Sequence, residues 1–197
     1  MTRLLLLAFT LVLSNDCMTQ NADSEYFKQI PDAPDTYNEF TTVARLIDGL
    51  GYRYYWGSEG LREEDLSHQP SEDSRTSREV LEHIYSLCRT ISLTVQGQAI
   101  TRSLDHQDMD FNSLRNETMA HLKMASELLR TDTVGSMEDL KIRFQRGEST
   151  TEFPFWNMIN GPIADALWHT GQIVSNRRAS GNPLNPNVSV LRGKTRN

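Results

Sequence analysis

Thr76 and Glu79 stand three residues apart, and behind them Val80, Ile84, Leu87 and Ile91 recur at intervals of three and four. No other pattern constrains the chain as much. A hydroxyl followed three residues later by a carboxylate satisfies backbone N–H groups that the start of a helix leaves open. The apolar spacing then puts one hydrophobic stripe on one helical face. The pattern predicts an amphipathic helix from Thr76 to about Gln98.

The same grammar recurs along the chain. Thr36 and Glu39 open a first helix carrying Tyr37, Phe40, Val43, Ala44, Ile47, Leu50 and Tyr54, ending at about Gly57. Asp110 caps a third, with Leu114, Leu122, Ala125 and Leu129 on one side, ending near Thr131. The last covers Trp156 to Ala179, with Ala164, Leu167, Trp168, Ile173 and Val174 as its apolar positions and Gly181 as its stop. Pro162 either kinks this helix or makes it start afresh at Gly161. Before it, Leu140, Ile142 and Phe144 alternate with Lys141, Arg143 and Gln145, the period of a short strand.

Helices with one apolar face bury it against one another, so the expected fold is all-α: an up-and-down four-helix bundle with an N-terminal signal segment and an irregular C-terminal tail. A length of 197 residues with 38% hydrophobic content suits one domain. The expected division is 1–22 signal segment, 23–33 linker, 34–183 bundle and 184–197 tail.

The signal segment rests on Arg3 followed by the apolar run Leu4 to Leu13, too short to span a bilayer, and then an abrupt turn to polar residues. The expectation is export to the periplasm or the exterior, with no integral span once the signal is removed. A lipid anchor at Cys17 is the lesser alternative, because Asp16 precedes it where lipoprotein signals carry a small residue. Cys88, among Leu87, Ile91 and Leu93, reads as a small buried thiol. With 20 basic against 26 acidic residues and a net charge of −6, the chain has no basic block to track a phosphate backbone. Nucleic acid is not an expected partner; a small-molecule substrate or ligand is.

The candidate site lies on the last helix. Asn157, Gly161, Asp165 and His169 are four apart and form one polar row that the flanking apolar residues turn inward. A buried carboxylate is costly unless paired or bound to metal. Asp165 and His169 alone are satisfied by a hydrogen bond between them. His83, on the inner edge of the second helix, adds a third donor, and two imidazoles with one carboxylate make a common open site for zinc, iron, nickel or manganese. Glu79 reads as a capping residue, His121 as a core or surface histidine without a partner at ligand spacing, and His68 and His106 as loop residues. Asn157 and Asn160 either line the pocket or cap the helix, and Arg177 and Arg178 suit its C-terminal end. The sequons at Asn116 and Asn187 are short patterns with nothing else to support glycosylation.

The stretches SREVLEHIYSL and ADALWHTGQIVSNRRASGNP resemble the DinB/YfiT-like family. The resemblance implies a four-helix bundle with a metal held between helices, typically by three histidines, one on the second helix and two spaced HxxxH on the last. His83 and His169 match the first and the final one, and Asp165 stands where the remaining histidine would be, a charged oxygen in place of an imidazole. The implied metal set is therefore His83, Asp165 and His169, for zinc or nickel first and manganese or iron as alternatives. The implied activity is a metal-dependent hydrolase or a thiol-dependent S-transferase. A homodimer is an open option, with the tail after Gly181 as a contact for it. A non-enzymatic metal-binding or ligand-binding bundle is the alternative.

Overall fold

The computed structural model describes residues 25–103, 105–131 and 134–196. The expected signal segment 1–22, with Cys17, lies outside the described residues. Four long helices carry the fold: α1 (Glu39–Ser58), α2 (Ser77–Val95), α3 (Phe111–Leu129) and α4 (Ala164–Ala179). They form a closed ring of contacts in which α1 and α2 each pack on both α3 and α4. The successive helices α1 and α2 thus lie across the ring from each other rather than side by side, as do α3 and α4. This differs from the neighbour order expected of an up-and-down arrangement. The long links 59–76 and 130–163 provide the reach for both diagonal crossings.

The chain is mostly helical, but the all-α expectation needs correction, because two small sheets are present. β1 (Ile100–Thr101) pairs in parallel with β2 (Lys141–Arg146), which pairs antiparallel with β3 (Ser149–Pro154) in the register Ile142 opposite Phe153. The alternation from Leu140 to Gln145 marked β2. β3 is exposed throughout, so its sequence carries no buried face to read. In the tail, β4 (Val188–Ser189) pairs with β5 (Lys194–Thr195); the tail is therefore not wholly irregular.

The core draws Ile47, Leu50 and Tyr54 from α1, Leu81, Ile84, Cys88 and Ile91 from α2, Leu114, Met119, Leu122, Ala125 and Leu129 from α3, and Ala166 and Ile173 from α4. Asp110 caps α3 as expected, its Oδ1 accepting from Ser113 N at 2.7 Å. The start of α1 differs. Asn38, not Thr36, is the cap, accepting from Thr41 N at 2.8 Å, while Thr41 Oγ1 accepts from Asn38 N at 3.1 Å. Tyr37 therefore precedes the helix and is 99% exposed. On α4 the buried positions are Ala166, Thr170, Ile173, Asn176 and Arg177, whereas Trp168 is 72% exposed. This helix buries polar side chains that an apolar count misses.

Two arginines close the C-terminal end of α1, where backbone carbonyls lack helical partners. Arg177, expected to serve its own helix end, donates through Nη1 to the carbonyls of Trp56 and Gly57, both at 3.0 Å, and through Nε to the Asn182 carbonyl at 2.8 Å. Arg115 reaches from α3 to the Tyr55 carbonyl, Ser58 Oγ and Glu59 Oε2. On the other side of α1, the fully buried Asp48 accepts from Ser126 Oγ and pairs with Arg130.

Part of the presumed linker belongs to the fold. A 3-10 turn at Tyr26–Lys28 inserts Phe27, fully buried, against Gly51. A β-carbon on Gly51 would come within 2.5 Å of the Phe27 ring, so the glycine makes the space that the ring fills. Ile30 N then donates to the Gly193 carbonyl at 2.7 Å, tying this segment to the tail. Phe27→Ala should therefore destabilise the protein by about 3–4 kcal/mol, measured by urea unfolding. A change under about 1 kcal/mol would mean that the segment does not hold the core.

Candidate metal centre

His83 lies in the second turn of α2, whose start is fixed by the expected box: Thr76 Oγ1 accepts from Glu79 N at 3.2 Å, and Glu79 Oε2 accepts from Thr76 N at 2.7 Å. Glu79 is thus committed to the cap and stands outside the cluster. Asp165 and His169 reach the same place from α4. The chain enters α4 through a short helical turn at Trp156–Met158 and a π-helical turn at Ile159–Ile163. There Gly161 leaves helical dihedrals (φ −97°, ψ −105°), and Pro162 contributes no N–H.

A π turn holds an extra residue, so it breaks the four-residue row expected from Asn157 to His169. Asn157 and Asn160 are both exposed, and the cap at Phe155 has no side-chain bond. Neither asparagine caps this turn. Past the π turn the regular helix resumes, and Asp165 and His169 share one face.

His83 Nε2 is 3.2 Å from Asp165 Oδ2, and His169 Nε2 is 3.4 Å from Asp165 Oδ1. The two imidazole rings meet edge to face, 4.6 Å between centroids. One ligand atom from each of the three residues lies within 4.8 Å of the others. The structure thus brings together all three residues expected as ligands. They are less buried than the row predicted: the side chains of His83, Asp165 and His169 are 33%, 41% and 15% exposed. Asp165 and His169 each precede a buried residue, Ala166 and Thr170, and so sit one helical step round from the face in the core.

Gln172, to which the sequence assigns no role, organises the site. Its Oε1 lies 2.7 Å from His169 Nδ1. With the ring N–H donated to that amide oxygen, the Nε2 lone pair faces the Asp165 carboxylate. Two acceptors that close need a cation between them, either a proton or a metal ion. The spacing His169 to Gln172, one turn apart, is the signal that could have found it. Burial pushes the His83 pKa down, opposed by the hydrogen bond that the ring donates to Asp165 and reinforced by His169, and the net shift favours the neutral imidazole, the form able to ligate metal.

The remaining histidines do not join. His106 sits in the 3-10 turn Asp105–Asp108, 3.7 Å from Asp105, and His68 lies in the link before α2. His121 packs near the Tyr85 ring, centroids 5.6 Å apart, away from the centre. Cys88 is fully buried, and desolvation raises its thiol pKa, so it is neither a ligand nor a ready nucleophile. Thr118 of the first sequon is buried within α3 and bonded to the Leu114 carbonyl; Asn187 of the second is exposed. Among the described residues no helix is long and apolar enough to cross a membrane. Comparisons with family models, with curated proteins and with solved structures return no match.

His121 makes a pH-dependent prediction. Burial lowers its pKa to about 4, with the Arg89 charge adding to the effect. The unfolded ring takes up a proton near the ordinary value, about 6.5, while the folded ring resists. The stabilisation from this difference is complete above the unfolded pKa and is lost as pH falls toward about 4. Across that window the wild type should lose up to about 3 kcal/mol more than His121→Gln, read from urea midpoints. Parallel profiles for the two proteins would show that the ring is hydrated in solution.

Proposed function

We propose that this is an exported metal-binding protein on a DinB/YfiT-like four-helix bundle, with a metal-dependent enzymatic role of hydrolase or thiol-dependent S-transferase type. The observation that carries the reading is the convergence of His83 from α2 with Asp165 and His169 from α4, their ligand atoms within 4.8 Å. The donor set fits a divalent ion: two nitrogens and one oxygen suit zinc or nickel first, with manganese or iron as alternatives. The His169 Nε2 lone pair and the Asp165 carboxylate face each other at 3.4 Å, and a cation between them would offset their repulsion. A bound divalent ion supplies Lewis acidity, which lowers the pKa of a water or thiol at an open position. The chain's own residues do the rest: Gln172 holds the His169 tautomer, and His169 forms one wall of a recess of about 340 Å³ that admits a small molecule. Export favours the hydrolytic version, because low-molecular-weight thiols are mainly cytosolic.

A second reading has its own support. Asp165 already lies within hydrogen-bond distance of His83, at 3.2 Å, so a purely structural triad in a non-enzymatic bundle is satisfied without metal. Elemental mass spectrometry on untagged protein separates the two. Near-stoichiometric metal in the wild type, absent from His169→Ala and Asp165→Ala, is the expected result. Wild type that stays unloaded after exposure to zinc, nickel, manganese and iron leaves the structural reading. Gln172→Ala should retain the fold and weaken metal affinity by about tenfold to a hundredfold, measured by competition with a chelator; unchanged affinity would remove Gln172 from the site.

A further inference from the structure

We infer that the site takes a small molecule bearing a carboxylate, or a comparable anionic group, which seats on Arg75 while its other end reaches the His83, Asp165 and His169 centre. The inference rests on the metal-centre reading and adds the substrate class. The recess beside the centre is lined by Ser74, Arg75, Val80, His169, Gln172 and Asn176, with Pro70 at its edge. His169 is therefore shared: its ring belongs both to the centre and to the wall of the recess, whereas His83 and Asp165 do not line that wall. Its volume, about 340 Å³, is at the lower end for ligand sites and suits a small metabolite rather than a polymer.

The charge pattern selects the ligand. Although the chain carries a net charge of −6, no carboxylate lines this recess, and Arg75 is its one permanently charged residue. Among the described residues, no ion pair or hydrogen bond engages the Arg75 side chain. Glu79 feels its charge, yet the Glu79 carboxylate is held by Thr76 N at 2.7 Å and Thr76 Oγ1 at 2.9 Å. Arg75 and His169 line the same recess, so the guanidinium and the imidazole face one shared space. A divalent ion on two neutral imidazoles and one carboxylate keeps one net positive charge; Arg75 adds a second at the mouth. A recess with that field draws anions and holds them by a charge-assisted hydrogen bond. Gln172 and Asn176 line the wall between, and Asn176 Nδ2 is already committed to Ser77 Oγ at 3.1 Å. The neutral walls leave the choice of ligand charge to Arg75.

Two hydroxamic acids that differ by a carboxylate test this on metal-loaded protein: acetohydroxamic acid and the monohydroxamic acid of succinate. Metal content of wild type and Arg75→Gln is measured first and should be the same. By calorimetry the succinyl compound should bind wild type at least about tenfold tighter than the acetyl compound. Arg75→Gln should abolish that preference and leave acetohydroxamic acid binding unchanged. A wild type without the preference, or a variant that keeps it, overturns the assignment of Arg75 while the metal centre stands. If wild type loads no metal, the centre fails instead, and ligand-observed NMR with the same pair on metal-free protein decides the recess: Arg75-dependent binding of the succinyl compound supports it, and equal or absent binding of both removes it.

Discussion

The guanidinium of Arg177, only 4% exposed, on the terminal carbonyls of α1 is the interaction that fixes the rest. A buried cation is tolerable only where acceptors surround it, and here the carbonyls of Trp56 and Gly57 also need donors. Each side resolves the other's deficit. Because Arg177 lies on α4, two turns beyond His169, the same contact sets the height of α4 against α1. It thereby sets where Asp165 and His169 emerge opposite α2. Asn182, joined to Arg177 and to Asp65, extends the clamp into the chain after α4. The Asp65 carboxyl is held well below the usual range by Arg62 first, then by Ser180 and Asn182. The cluster of His83, Asp165 and His169 is thus positioned by polar contacts at one end of the molecule and by the hydrophobic core in its middle.

Legibility in the sequence followed how much each signal depended on neighbours in the chain alone. The Thr76–Glu79 box, the Asp110 cap and the stripes of α2 and α3 are local, and the structure keeps them. The start of α1 was misplaced by two residues: the Thr36–Glu39 spacing fits a capping box, but Asn38 takes the role because Thr41 completes the reciprocal bond. Non-local features were not legible. Burial of Phe27 depends on a space at Gly51, and the diagonal order of the helices depends on the length of links, neither of which leaves a periodic mark. On α4, apolar counting pointed to Trp168 and missed Asn176 and Arg177, whose burial is supported by partners on other elements.

The site itself was legible as a set of residues but not as an environment. Spacing alone gave Asp165 and His169 one face, and His83 was found on the edge of its stripe. That edge position is the reason the cluster is half-open: residues flanking a buried face meet those of the adjoining helix at the seam, where water and ligands have access. The π turn before α4 fits the same logic. It absorbs the proline and an extra residue outside the site, so that Asp165 and His169 fall on a regular helix with rigid backbone geometry. A ligand pair on regular helix is held more firmly than one on a loop, which matters where a fraction of an ångström decides coordination.

Phe27 and Gly51 form a reciprocal pair, one residue defined by a void and the other by the group that fills it. Their relation makes the fitness of any side chain at position 51 conditional on a segment two dozen residues upstream. With the segment docked, even a methyl group collides with the ring; with the segment cleaved or undocked, the same methyl would cover bare helix surface and replace an entropically costly glycine. The sign of that one substitution therefore reports whether the N-terminal stretch is part of the working molecule.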